Sequence, residues 1–143
     1  MPFCAHPLTL AALSVLLLTG GPEAVAQEHP IPPSAGIPTR PKYAQVNGHR
    51  IAYYEAGEGT TLVLVHGQGT SAPIDWGQVF KPFAQSYHVI AVDQIGFGFS
   101  DKPPDVPGTL QTRVDYLGEL LRQLKVTDFY LAGVSMGGSG GGL

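Results

Sequence analysis

Three short apolar runs, each broken off by a small or polar residue, constrain the fold of this chain more than any other feature. Thr61–Val65 (TLVLV) ends at His66-Gly67, His88–Val92 (HVIAV) ends at Asp93, and residues 129–134 (FYLAGV) end at Ser135. Continuous β-branched and leucine runs of this length fit strands of a parallel sheet buried on both faces. Between them lie segments of helical character. In residues 109–125, Leu110, Val114, Leu117, Leu121 and Leu124 recur at three- and four-residue spacing, with Thr109 as the N-cap. Residues 74–86 carry Trp76, Val79, Phe80 and Phe83 but are interrupted by Pro82. Strands alternating with helices imply an α/β fold with right-handed crossovers. Ahead of them, residues 43–46 and 49–55 alternate apolar and polar about Asn47-Gly48, which predicts an antiparallel hairpin.

The chain has 143 residues, 43% of them hydrophobic and 13% charged, a composition suited to a packed core. Its 8 basic and 11 acidic residues are scattered without runs, so there is no basic stripe and a nucleic-acid partner is not expected. Residues 8–18 (LTLAALSVLLL) are uncharged and apolar, and Ala24-Val25-Ala26 follows, as in a signal peptide with an A-x-A cleavage site. An eleven-residue stretch is too short for a bilayer span, which takes about 20 residues, so no stable membrane span is expected. The expected organisation is a signal peptide over 1–26, a proline-rich linker over 27–42 and a folded part over 43–143, exported to the periplasm or beyond the cell. The single cysteine, Cys4, falls in the leader, which leaves no thiol for a disulfide or a metal; no cofactor is expected.

Chemistry concentrates where the apolar runs end. Gly133-Val134-Ser135-Met136-Gly137-Gly138 sets a serine between small residues directly after a strand. That pattern suits a nucleophile elbow, a strand-to-helix turn so sharp that bulky neighbours would clash and the serine hydroxyl stands clear. His66-Gly67-Gln68-Gly69 follows the first run. Asp93-Gln94-Ile95-Gly96-Phe97-Gly98-Phe99-Ser100-Asp101-Lys102-Pro103 follows the second. Its Gly96-x-Gly98 lacks the third glycine and the following helix of a dinucleotide fingerprint. Asp93 is expected to fix this loop by accepting backbone amides.

In their order and spacing these three motifs, with the hairpin, resemble the α/β-hydrolase fold family across residues 43–138. The resemblance implies an α/β fold in which an antiparallel hairpin leads into a parallel sheet with crossover helices. It also implies Ser135 as nucleophile and the backbone amides of Gln68 and Met136 as oxyanion-hole donors, rigid groups that need no reorganisation as charge develops. His66 and Gly67 would shape the loop, and Gly133 and Gly137 would relieve crowding at the elbow. A serine at this position argues against the dehalogenase and epoxide-hydrolase branches, which use aspartate. Ester, thioester, amide and carbon–carbon bond hydrolysis stay open, and the implied partner is a small ester-like molecule. The Asp93 loop looks most like the carbon–carbon hydrolase and esterase branches.

In that family the acid and the histidine follow the serine, whereas the histidines of this chain, His6, His29, His49, His66 and His88, all precede it. The chain is therefore expected to be the N-terminal part of the fold, truncated after the elbow and inactive by itself. The alternative is an exported binding or scaffold protein that reuses the half-fold. The strand before Ser135 is expected to have an open edge, and the glycine-rich segment after it is expected not to form a helix.

Overall fold

A computed structural model describes residues 36–140. The expected leader and most of the proline-rich stretch lie outside the described residues. The chain begins with β1 (Lys42–Val46) and β2 (His49–Ala56), joined by Asn47 and Gly48 at φ 50 and 84, the positive pair that a two-residue hairpin turn needs. There follow β3 (Thr61–Val65), α1 (Ala72–Ala84), β4 (His88–Val92), α2 (Leu110–Gln123), β5 (Phe129–Gly133) and a 3₁₀ helix over Ser135–Gly140.

These strands form one sheet in the order β1-β2-β4-β3-β5. β3 lies parallel to both β4 and β5, while β2 pairs antiparallel with β1 and with β4. The fold is the partial α/β-hydrolase sheet that the motifs imply. Its apolar runs are continuous because both faces are covered. Val63, Val65, Ile90 and Val92 point to the face packed by Tyr116, Leu117, Leu120 and Leu121 of α2. Leu62, Leu64, Val89 and Ala91 point to the opposite face, against Ala72 and Phe80 of α1. Each buried valine, leucine, isoleucine or phenylalanine among them stabilises the fold by about 1.5–3 kcal/mol.

Several elements depart from expectation. Helix α1 starts earlier and runs through Pro82, because the proline sits in the last turn and on the exposed side, where a missing donor costs little. Beyond it the chain closes through Ser86 N–H and Tyr87 N–H, which both donate to the Phe83 carbonyl. The apolar stripe of α2 is rotated from the expected one. Leu110 is exposed, whereas Tyr116 and Leu120, outside the expected stripe, are buried. Thr109 caps the helix by accepting from Thr112 N–H at 3.2 Å.

The run over 129–134 was expected to be buried on both faces, but Tyr130 is 62% exposed and Val134 40%. β5 has β3 as its one neighbour among the described residues, so its other edge is unpaired there. The glycine-rich segment, expected to be non-helical, forms the 3₁₀ helix, whose tighter i→i+3 pattern starts with Gly137 N–H donating to the Val134 carbonyl at 2.8 Å. The linker boundary also falls within structured chain. Ile37 is 4% exposed in the α1-side core, and Gly36 N–H donates to the Gly77 carbonyl.

Candidate functional site

Strand register brings the three motifs together. Val65 pairs with Val92 on one side and with Gly133 on the other, so β3, β4 and β5 end level. His66, Asp93 and Ser135 therefore emerge at the carboxyl end of the sheet, where ligands of open α/β sheets bind. The turn after β3 lies against the turn after β5. A Cβ placed on Gly67 would sit 3.4 Å from the Val134 carbonyl oxygen and 3.5 Å from Ser135 Cβ.

Ser135 is an exposed residue in left-handed backbone, at φ 49. Only a tightly determined turn holds a non-glycine residue there. Its two flanking glycines make the turn possible. A Cβ on Gly133 would lie 2.3 Å from the Gly137 carbonyl group, and one on Gly137 would lie 2.4 Å and 2.6 Å from the carbonyl oxygens of Val65 and His66. Those neighbours are backbone and cannot swing aside. Among the described residues, neither the Gln68 nor the Met136 N–H donates to a protein acceptor.

His66 is fully buried and committed to the loop. Its Nε2 accepts from Gln94 N–H at 3.0 Å, so the proton resides on Nδ1, which donates to the Gly67 carbonyl at 2.6 Å. Burial holds its pKa below the ordinary histidine value, and the Arg113 charge adds to that, so the ring is neutral at pH 7. Its one lone pair is occupied. His49 bonds the Tyr116 hydroxyl at 2.7 Å and His88 bonds Glu55 at 2.6 Å, so every histidine among the described residues is engaged away from Ser135. His6 and His29 lie outside the described residues.

Asp93 is likewise fully buried. One carboxylate oxygen accepts from Ala72 N–H at 2.8 Å and the other from Phe99 N–H at 2.9 Å. Burial pushes its carboxyl above the ordinary range against the pull of those amides. Gly98 approaches so closely that a Cβ there would come within 2.2 Å of the carboxylate, which accounts for the second glycine of the loop.

Several residues that hold the site were assigned no role from the sequence, Asp75 and Arg113 outside every motif and Gln94 and Ser100 within the Asp93 loop. Asp75, in the first turn of α1, accepts from Gly67 N–H and from the Thr70 hydroxyl, each at 2.8 Å, and thereby fixes the turn that presents Gln68. An acid just inside a helix that follows the His-Gly turn was the available signal. Gln94 clamps the same turn from the other side, donating its side-chain amide to the His66 carbonyl at 2.7 Å. Ser100 bridges Asp93 to β2 by donating to the Asp93 carbonyl and accepting from Ala52 N–H. Arg113 reaches over from α2, its guanidinium 5.1 Å from the Phe97 ring centre and 2.9 Å from Met136 Sδ.

The arrangement has counterparts among known proteins. A family model for the alpha/beta hydrolase fold matches residues 60–141. The chain is 33% identical over 103 residues to 2-hydroxy-6-oxo-6-(2'-aminophenyl)hexa-2,4-dienoic acid hydrolase of Metapseudomonas resinovorans, covering 70% of this chain and 35% of the relative. It is 39% identical over 97 residues to (E)-2-((N-methylformamido)methylene)succinate hydrolase of Acinetobacter baylyi, covering 67% and 36%. Among solved structures, a meta-cleavage product hydrolase superimposes with TM-score 0.67 at 30% identity, over 70% of this chain and 38% of that one. The chain spans about a third of the length of the curated relatives it matches.

Proposed function

The chain belongs to the α/β-hydrolase fold family, and from that premise we propose that Ser135 is the nucleophile of a serine hydrolase acting on ester-like or related acyl bonds of small molecules. The observation that carries this reading is the left-handed backbone of an exposed serine between two glycines that admit no Cβ. In the proposed mechanism the Ser135 oxygen bonds to the acyl carbon as its proton passes to a base and the carbonyl π pair moves onto the oxygen, where the amides of Gln68 and Met136 donate to it. Collapse then breaks the bond to the leaving group, which takes up the proton. Oxyanion donors act where charge develops, and losing one typically costs about 10²–10³ in rate.

Among the described residues no base reaches Ser135, since His49, His66 and His88 are all engaged elsewhere, and a serine without a base is a neutral hydroxyl at pH 7 and a poor nucleophile. The proposal is that the chain by itself turns over little more than an oxyanion hole allows, about 10³–10⁴ over water. A fluorophosphonate probe tests it. Labelling of the purified chain should be negligible over minutes, should rise when imidazole supplies an external base, and should vanish in S135A. Rapid stoichiometric labelling without imidazole contradicts the missing base, and imidazole-dependent labelling that survives S135A contradicts the nucleophile.

Export belongs to the same reading. Residues 8–18 would direct the chain across a membrane, with cleavage after Ala26. N-terminal sequencing of exported chain should then begin at Gln27. Among the described residues no helix is long and apolar enough to cross a membrane.

A further inference from the structure

Arg113 is a cation without a counter-ion at the mouth of the site. Among the described residues no carboxylate lies within 4.0 Å of its guanidinium, whereas Arg50 and Arg122 pair with Asp101 and Glu119. Its Nε is buried and has no hydrogen-bond partner among those residues, and Nη1 faces the Met136 sulfur at 2.9 Å. A thioether is a weak acceptor, and a guanidinium presents five donors in a planar fork. A buried donor left unsatisfied is costly, and such a cost is retained at functional sites that break a local rule. Nε itself is enclosed, so a ligand in the cleft would meet the outer nitrogens of the guanidinium.

The space beside it indicates the ligand. A cleft of about 140 Å³ opens between the Asp93 loop and the segment leading into α2. Ile95, Phe97, Pro103, Val106 and Pro107 line it with apolar surface, and Arg113 is the charged residue in its wall. Drug-sized sites run to several hundred Å³, so this one takes a small group. The geometry points to an organic carboxylate. We propose that Arg113 anchors the carboxylate of a small molecule whose apolar body occupies this cleft. The fork geometry suits bidentate pairing with a carboxylate, and the apolar wall favours an organic acid over free phosphate. Met136 directly follows Ser135, so the anchored end lies beside the elbow. That a substrate is held this way for attack rests on the Ser135 reading; the binding itself does not.

The test titrates the 143-residue chain with benzoate, with benzamide as the neutral isostere and inorganic phosphate as the second anion, observed by NMR. Benzoate should give saturable shifts at the Arg113 Nε–H and at the amides of Phe97, Gly108 and Met136, and benzamide and phosphate should not. R113Q should weaken benzoate at least about tenfold, the loss of one charge-assisted pair worth about 1.5–3 kcal/mol, R113K should weaken it less, and S135A should leave it unchanged. Equal shifts from benzamide, tighter binding of phosphate, or full benzoate affinity in R113Q would each overturn the assignment. If R113Q loses its dispersed amide spectrum, the benzoate and benzamide comparison at the Arg113 Nε–H of the wild-type chain decides. Benzoate binding in a chain that the fluorophosphonate never labels removes the hydrolase reading alone. Labelling without benzoate binding removes the Arg113 assignment alone.

Discussion

At Ser135 a single backbone angle carries the functional argument and also a thermodynamic cost. Left-handed backbone costs an L-residue about 1–2 kcal/mol, and Ser135 occupies it at φ 49. The side chain adds nothing to offset this, since it is exposed. Glycine at this position should therefore be more stable than alanine. The expected result is that S135G unfolds in urea with a free energy about 1 kcal/mol above that of S135A, the reverse of the usual helical preference. Equal stabilities would mean that the turn is not strained in solution. The motif was legible from the sequence because the glycine spacing is local. The direction in which His66 uses its lone pair was not, because it depends on the Gln94 amide 28 positions away.

Among the elements, β5 differs most from its sequence signature. Its apolar run reads like those of β3 and β4, yet its residues are intermediate or exposed while those two strands are almost wholly buried. Burial follows sheet order, and order is set by pairing rather than by composition. Among the described residues β3 and β4 each have neighbours on both sides, while β5 has one. Amide hydrogen exchange should therefore protect β3 and β4 continuously and β5 only at alternate positions, those facing β3. Continuous protection along residues 129–133 would show that another strand, such as one from a second copy, covers the edge in solution. An uncovered edge with Tyr130 beside it also favours association, so the experiment belongs at low protein concentration.

For the whole molecule, the sheet is closed at the end opposite the site by Glu55. It accepts from Lys42 of β1 and from His88 of β4, each at 2.6 Å. Burial would push its pKa up, but these hydrogen bonds and the charge beside them outweigh it and hold it below the ordinary glutamate value of 4.5. A carboxyl lowered on folding contributes stability that is fully present above pH 4.5 and is lost as pH falls through the folded value. E55Q should cost no more than about 1 kcal/mol at pH 7, since Lys42 is largely exposed, and should flatten the acid limb below pH 4.5 in urea titrations. An unchanged acid limb would mean that other carboxyls control it. The sequence by itself determined the hairpin, the strands and their order along the chain, the elbow and its glycines, because periodicity, turn chemistry and steric crowding act over a few residues. Only the tertiary structure decided that Tyr130 and Val134 are exposed, that Tyr116 and Leu120 face the core, that Asp75 and Gln94 hold the turn before Gln68, and that among the described residues no carboxylate pairs with Arg113 beside Met136. Those outcomes depend on which elements pack together, and packing joins residues that no local pattern relates.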